Sequence, residues 1–511
     1  MTKRAPDPPS RFRGDFFSDA ETLACFGEAS GPFRHPLLAV ARPVDEEDVS
    51  SLLRWASAEG IPLIPRGAGT GMPGGNVGSG VAVDLSTFRR LDDPDPATRT
   101  VRVGAGTTGH DLQERAASAG LFFPALPSSA DRCTVGGMVA NNAAGVLSFR
   151  HGAVRTWVDS IRAVLADGSV VTPQRNEAQP PEFRHLREGL RSMLGTVEPE
   201  WPPVAKNSSG YALDRFLGSG DGVDLLVGSE GTLGVVTEAR LCLAPRPEER
   251  ALVLLPLPRR EDLLDAVEFA RLVQAAACEF FDQRFLDIAG LRTAASTREL
   301  VGGASALLLL AFEGSDDEVG EGLRDAATFA RNLGVPFRLG RSEEERKHLW
   351  EVRHSASPIV AAQAARGLVS MQFIEDSVVR ADRLPEYLAG LDVILEEEQT
   401  DAVVFGHAGE GNVHVNPLVD VTRADWRGSV RSILERTVDL VVGLNGTLSG
   451  EHGDGRLRGT FHPRIFGEPI ARAFRHVKNS LDPRGILNPG VVVPLPGQDP
   501  LQGLTPLRRF R

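Results

Sequence analysis

Apolar and polar positions recur along this chain in two rhythms. Acids open the stretch from Asp45 to Ser57, and Val49, Leu52, Leu53 and Trp55 follow at helical spacing, which predicts a helix there. Ile61 to Pro65, Val81 to Leu85 and Thr100 to Val103 are short apolar runs with polar or glycine borders, the pattern of buried strands. Asp111 to Ala119 returns to helical spacing and closes at Gly120. The Pro245-Arg246-Pro247 break marks a boundary. Beyond it strands are predicted over Leu252 to Leu257 and Ala306 to Phe312, and helices over Arg260 to Ala276 and Ser315 to Leu333. That alternation suits an α+β unit with helices packed on a sheet. No internal repeat is visible.

A length of 511 residues exceeds what one core fills, so two or more domains are expected. Hydrophobic residues at 41% and charged residues at 24% describe an ordinary globular protein, and a formal charge of -12 argues against a nucleic-acid partner. Cys25, Cys133, Cys242 and Cys278 are scattered, without the clustering of a disulfide framework, a zinc-thiolate site or an iron–sulfur site. They read as buried small hydrophobes in a reducing cytoplasm. The N-terminus lacks the apolar stretch of a signal peptide, and the strongest apolar run, Ala304 to Phe312, is too short to span a membrane. A cytoplasmic protein without a membrane span is expected. Lysine occurs only at Lys3, Lys206, Lys347 and Lys478, a skew that carries no mechanism by itself.

Glycine-rich stretches carry the first chemical signal, because the absence of a Cβ lets backbone N–H groups approach phosphate oxygens. Gly104-Ala105-Gly106-Thr107-Thr108-Gly109 imitates a dinucleotide fingerprint, but Leu121-Phe122-Phe123-Pro124 supplies no acidic residue for a ribose, and a tight strand-to-helix turn is the plainer reading. No P-loop motif occurs. Three other small-residue stretches are more telling as a set: Pro65-Arg66-Gly67-Ala68-Gly69-Thr70-Gly71, Gly136 to Gly145, and Gly228 to Val236. The first could wrap a pyrophosphate, and the other two could lie along the ribityl chain and ring of an extended FAD.

A second signal lies between Asp401 and Asn416, which read as a hairpin around a Gly-rich turn. Pairing of His407 with His414 would place both imidazoles on one face. With Glu451 of Ser449-Gly450-Glu451-His452-Gly453 they make a plausible divalent-metal set; hydrogen-bonded packing histidines and an ordinary loop acid are the alternative.

Ile64 to Thr70, Asp131 to Asn142, Asn207-Ser208-Ser209-Gly210-Tyr211 and Gly228 to Gly234 resemble the FAD-binding half of the vanillyl-alcohol-oxidase-type (PCMH-type) FAD-linked oxidases, in their D-lactate, D-2-hydroxyglutarate and glycolate dehydrogenase branch. The resemblance runs from about His35 to Val493. It implies an α+β fold: a two-subdomain PCMH-type FAD-binding domain over residues 35–246, then an α+β FAD-linked oxidase C-terminal (cap) domain over 247–493, with a lead-in at 1–34 and a flexible tail at 494–511. Cofactor contacts are expected from Pro65, Arg66, Gly67, Ala68, Gly69, Thr70, Gly71, Pro127, Ser128, Thr134, Gly136, Gly137, Asn141, Asn142, Gly145, Glu230, Gly231, Val235, Val236 and Asn488. The first glycine loop offers no histidine for covalent attachment, so FAD is expected to be non-covalent.

The resemblance also implies that His407, His414 and Glu451 hold a divalent metal, zinc or manganese, that His452 is the base, and that Arg353 of Leu349-Trp350-Glu351-Val352-Arg353-His354 grips the substrate carboxylate. Asn416 could add a substrate hydrogen bond, and Ser357 stands where some relatives carry a substrate-contacting Thr. The expected function is oxidation of a D-2-hydroxy acid to the 2-oxo acid. Around Met371 to Asp376 the lysine of hydroxyglutarate-specific relatives is missing. The segment is closer to large fused members that continue into an iron–sulfur domain whose cysteines this chain lacks. A separate electron acceptor is therefore expected, with an iron–sulfur subunit as one candidate. Rival readings are a non-redox flavoenzyme of the alkyl-dihydroxyacetone-phosphate-synthase type and a flavin-bearing subunit of a larger complex.

Overall fold

The structure, a computed structural model, describes residues 6–195, 200–291 and 298–506, with the side chain of Ser357 outside the described set. Its first sheet has four strands in the order Asp15–Phe17, Ala39–Arg42, Val81–Asp84 and Leu63–Arg66. The last three run parallel, and the helix Glu46–Glu59 links two of them, capped by Asp45 and closed by Gly60. Val49, Leu52 and Leu53 bury the apolar stripe of that helix against Ala39, Val81 and Val83. A second, antiparallel sheet orders Thr100–Gly104, Val235–Cys242, Val158–Val164 and Val170–Val171.

The third sheet begins at Glu249 and has eight strands. Ala306–Gly314, the strongest apolar run of the sequence, is central, paired on one side with Glu249–Leu257 and on the other with Ala277–Asp282. Its residues from Ala306 to Glu313 are buried, which explains a continuous apolar run where a half-exposed strand would alternate. Asp316–Leu333 starts with a full capping box between Ser315 and Glu318. The helix His462–Leu481 then packs on Pro181–Leu194, and the chain returns to the first sheet, where Leu487 bridges to Leu63. Lys478 secures this return by donating to the Thr232 and Leu487 carbonyls and to Asp482.

Two end segments differ from expectation. The stretch before His35, read as a lead-in, belongs to the first sheet: Asp15–Phe17 adds an antiparallel edge strand, and Ala20–Phe26 forms a helix capped by Asp19. The tail after Pro494, expected to fray, packs as far as it is described. Leu501 and Leu504 are buried and Leu504 bridges to Phe33, because sparse leucines in a Pro- and Gly-rich stretch find an apolar surface that composition does not reveal. Residues 507–511 lie outside the described set. Among the described residues no helix is long and apolar enough to cross a membrane.

Candidate active site

A cavity of about 660 Å³ lies where the first two sheets meet the third. Its wall carries Pro65, Arg66, Gly67, Gly69, Thr70 and Gly71 from the first loop, Pro127, Ser128, Gly136, Gly137 and Asn141 from the second region, and Glu230, Gly231 and Val236 from the third. The three glycine-rich stretches thus converge on one space, as an extended dinucleotide requires. The Oδ1 of Asn76 on the same wall is buried without a hydrogen-bond partner. A buried acceptor of that kind is costly unless a ligand satisfies it, so the cradle fits FAD. Asn76 and the wall residues Ala29 and Ser30 were missed, the latter two because they belong to the stretch read as a lead-in. The imitation fingerprint at Gly104 to Gly109 contributes nothing to the wall and is a strand-to-helix turn.

Several expected cofactor contacts shape the loops from behind. Arg66 spends its guanidinium on the carbonyls of Phe26, Glu28 and Asn76, and Gly69, at φ 76°, packs directly over it where a Cβ would clash. Ala68 is exposed and off the wall. Thr134 caps the helix Val135–Asn141 by accepting from Gly137 N. Asn142 bonds Ser208 Oγ at 3.1 Å and receives the Arg155 amide at 3.0 Å. Gly145 lets the chain pass Leu126, whose carbonyl a Cβ would strike. Val235 is buried in the strand core. Asn488 donates to the carbonyls of Gly75 and Glu230 at 2.6 and 2.9 Å, tying two loops together. Ala68, Thr134, Asn142, Gly145, Val235 and Asn488 are absent from the wall, and Arg66 reaches it with both terminal nitrogens already bonded.

At the far end of the cavity stand Arg353, His414, Asn416, Glu451 and His452. The hairpin that carries the histidines, Asp401–His407 with Asn412–Asp420, has a register two residues tighter than expected: His407 pairs with Asn412, and His414 with Phe405. A shift by two preserves the face, so both imidazoles still point the same way as diagonal neighbours, with ring centroids 5.2 Å apart. The three-residue turn Ala408–Glu410 and Gly411 at φ 69° set that register.

The donor atoms form a triangle. The two Nε2 atoms are 3.3 Å apart, and each lies 3.5 Å from Glu451 Oε1. Tetrahedral ligands at the roughly 2.0–2.1 Å typical of zinc–nitrogen bonds are roughly 3.3–3.4 Å from one another, so the set fits a divalent cation with a position left open. His407 lies behind the wall and His414 on it, so the two differ in exposure to the cavity. His407 Nδ1 donates to Glu279 Oε1 at 2.5 Å, which leaves Nε2 as the donor atom.

Charged residues that sequence reasoning missed surround this triangle. Lys206 Nζ lies 2.5 Å from Glu451 Oε2, and Glu279 Oε2 accepts from Arg353 Nε at 3.1 Å. Glu375 Oε2 accepts from His452 Nδ1 at 2.7 Å and Oε1 from Arg458 at 2.8 Å, while Asp376 accepts the backbone amides of Glu451 and His452. A single acid inside Ala277-Cys278-Glu279-Phe280-Phe281, and a lysine heading Asn207-Ser208-Ser209-Gly210 in a chain almost without lysine, were the available signals.

The electrostatics follow from burial and these partners. Burial alone would raise Glu451, but Lys206 and then His407 hold it well below the usual carboxylate range. Burial opposes charge on His407 and His452, yet Glu279 in the first case and Glu375 with Asp376 in the second push them up to about 9 in the metal-free site. His414 goes the other way, lowered by burial. Glu230 is pushed up to about 8 by burial and by Asp454.

Known proteins match along most of the sequence. The FAD binding domain family matches residues 37–173, and the C-terminal domain family of FAD linked oxidases matches residues 246–492. The D-lactate dehydrogenase of Archaeoglobus fulgidus is 32% identical over 457 residues, which cover 89% of this chain and 91% of that protein. Glycolate oxidase subunit GlcD of Bacillus subtilis is 27% identical over 482 residues, covering 93% and 92%. Among solved structures, p-cresol methylhydroxylase shares the fold at a TM-score of 0.70, with 14% identity and 95% coverage of both chains.

Proposed function

This chain belongs to the FAD-linked oxidase family, and on that premise we propose that it is a cytoplasmic FAD-dependent dehydrogenase of D-2-hydroxy acids that passes its electrons to a separate acceptor. The reading is carried by one observation: Arg353, His414, Glu451 and His452 share the wall of the same cavity as the glycine loops. Arg353 binds the substrate carboxylate through its guanidinium fork. Asn416 helps orient the acid from the adjacent strand. Glu375 fixes Nδ1 of His452, which leaves Nε2 for the substrate hydroxyl. Loss of that proton to His452 allows the C2–H bond to break with its electron pair, and the 2-oxo acid results.

Bound FAD supplies the two-electron acceptor, and zinc or manganese held by His407, His414 and Glu451 supplies a Lewis acid for the hydroxyl oxygen and a positive charge that favours neutral His452. Ala356, Val360, Ala361, Ala364 and Leu368 give the substrate end an apolar side. Among the described wall residues the cations of Arg or Lys type are Arg66, whose terminal nitrogens donate to backbone carbonyls beside the first glycine loop, and Arg353. This lining supports a substrate with one carboxylate and an uncharged side chain.

The test is anaerobic mixing of the FAD-loaded protein with D- and L-2-hydroxy acids, followed by flavin absorbance near roughly 450 nm. Bleaching by a D-monocarboxylate such as D-lactate, weakened by a chelator and slower with a distal carboxylate, is the expected outcome. Bound flavin that no hydroxy acid bleaches would overturn the reading.

A further inference from the structure

We infer that Glu279 is a positioning residue that aims the substrate clamp and a metal ligand from a single carboxylate. The inference rests on the roles given above to Arg353 and His407. Glu279 is 1% exposed and lies on Ala277–Asp282, a strand held between Ala306–Gly314 and Asp401–His407. In that register it stands directly opposite His407. One oxygen accepts from His407 Nδ1 at 2.5 Å and the other from Arg353 Nε at 3.1 Å.

Each bond has a distinct consequence. Accepting from Nδ1 fixes the orientation of His407 and leaves Nε2, which faces His414 and Glu451, as the atom for a cation. Accepting from Nε turns the Arg353 guanidinium so that its paired terminal nitrogens are left for a carboxylate. The Phe405 ring, 4.7 Å from the guanidinium carbon, supports the same plane from the neighbouring strand. Arg353 comes from a helix and His407 from a hairpin, so neither element sets the other. Glu279 joins them, and its sheet position makes the join rigid.

A glutamine offers only one acceptor oxygen, so Glu279→Gln can serve His407 or Arg353 but not both. The experiment uses the FAD-loaded protein and two readouts. Equilibrium dialysis measures Mn²⁺ affinity, and anaerobic flavin titration gives the half-saturating D-lactate concentration. Glu279→Gln is expected to retain FAD, to bind Mn²⁺ about 10–100-fold more weakly, and to need about 10-fold more D-lactate or higher. At saturating Mn²⁺ in the Arg353→Met background the same change should add little to the D-lactate requirement, because its route to the substrate through Arg353 is gone and the metal route is held full.

Glu279→Asp keeps the buried charge, and so the fold, while withdrawing the carboxylate by one methylene; it should weaken both ligands as well. Unchanged Mn²⁺ affinity in either flavin-loaded variant, or D-lactate effects that simply add with Arg353→Met, would overturn the assignment. A wild-type flavoprotein that takes up no Mn²⁺ and ignores every hydroxy acid would sink the proposed function along with it. Variant-specific failure therefore separates from failure of the underlying reading.

Discussion

Lys206 holds one oxygen of Glu451 at 2.5 Å while the other oxygen faces the two imidazoles of the donor triangle. The carboxylate is thus divided: Oε2 is committed to an ammonium and Oε1 is left for the cation site. Ser148 Oγ at 3.3 Å and Glu410 at 3.9 Å complete the surroundings of Lys206, which is itself buried.

Replacing Lys206 with methionine removes the ammonium that faces the buried acids Glu451 and Glu410. Breaking a buried pair from one side costs about 3–5 kcal/mol. Urea unfolding of metal-free protein should show a loss of that size. A loss below about 1 kcal/mol, the scale of an exposed pair, would mean that solvent already screens the two groups.

His452→Gln should retain FAD and bind D-2-hydroxy acids much as before, since Arg353 is intact. The flavin-reduction rate should fall about 10²- to 10⁴-fold, the range over which general bases act. Stopped-flow absorbance measures it. A rate within a few-fold of wild type would remove His452 from the base role.

Arg353→Met should separate binding from chemistry in the opposite direction. Losing a charge-assisted pair to the substrate carboxylate costs about 1.5–3 kcal/mol, so the half-saturating acid concentration should rise roughly 10- to 150-fold. Saturated reduction should change far less. A fall confined to the saturated rate would assign Arg353 to the transition state instead of to binding.

Glu230 predicts a pH dependence of stability. Its folded-state pKa is about 8, set by burial and by Asp454, against about 4.3 for an unfolded glutamate. Between these values the native state keeps a proton that the unfolded chain has lost. Its contribution is therefore fully present below about pH 4.3 and is lost as pH rises through about 8. Glu230→Gln should flatten that part of the stability curve, measured by denaturant unfolding from pH 5 to 9. A variant curve parallel to wild type would show that Glu230 stays ionised in the folded state at no cost.

The glycine loops were legible along the chain because phosphate approach demands small residues in local runs, and three such runs survive any packing. The hairpin histidines were legible for a similar reason: a period of two fixes which side chains share a face, and the actual register, two residues off, left that face unchanged. Thr134 and Asn142 show the limit of motif reading. They stand inside a cofactor motif yet cap and brace the helix Val135–Asn141, because a motif also contains the residues that hold its loop in shape.

By itself the sequence determined the alternation of strands and helices, a strand over Ala306 to Phe312 and the helix after it, the three loops, and the histidine, glutamate and arginine types of the candidate site. These depend on local periodicity, caps and short motifs. Only the tertiary structure decided that Lys206 reaches Glu451 across 245 positions, and that Glu279 joins His407 and Arg353 across 128 and 74. Such partners are chosen by burial. Desolvation makes each unpaired charge too costly to leave, and the group that answers it is whichever one the fold brings within hydrogen-bond distance.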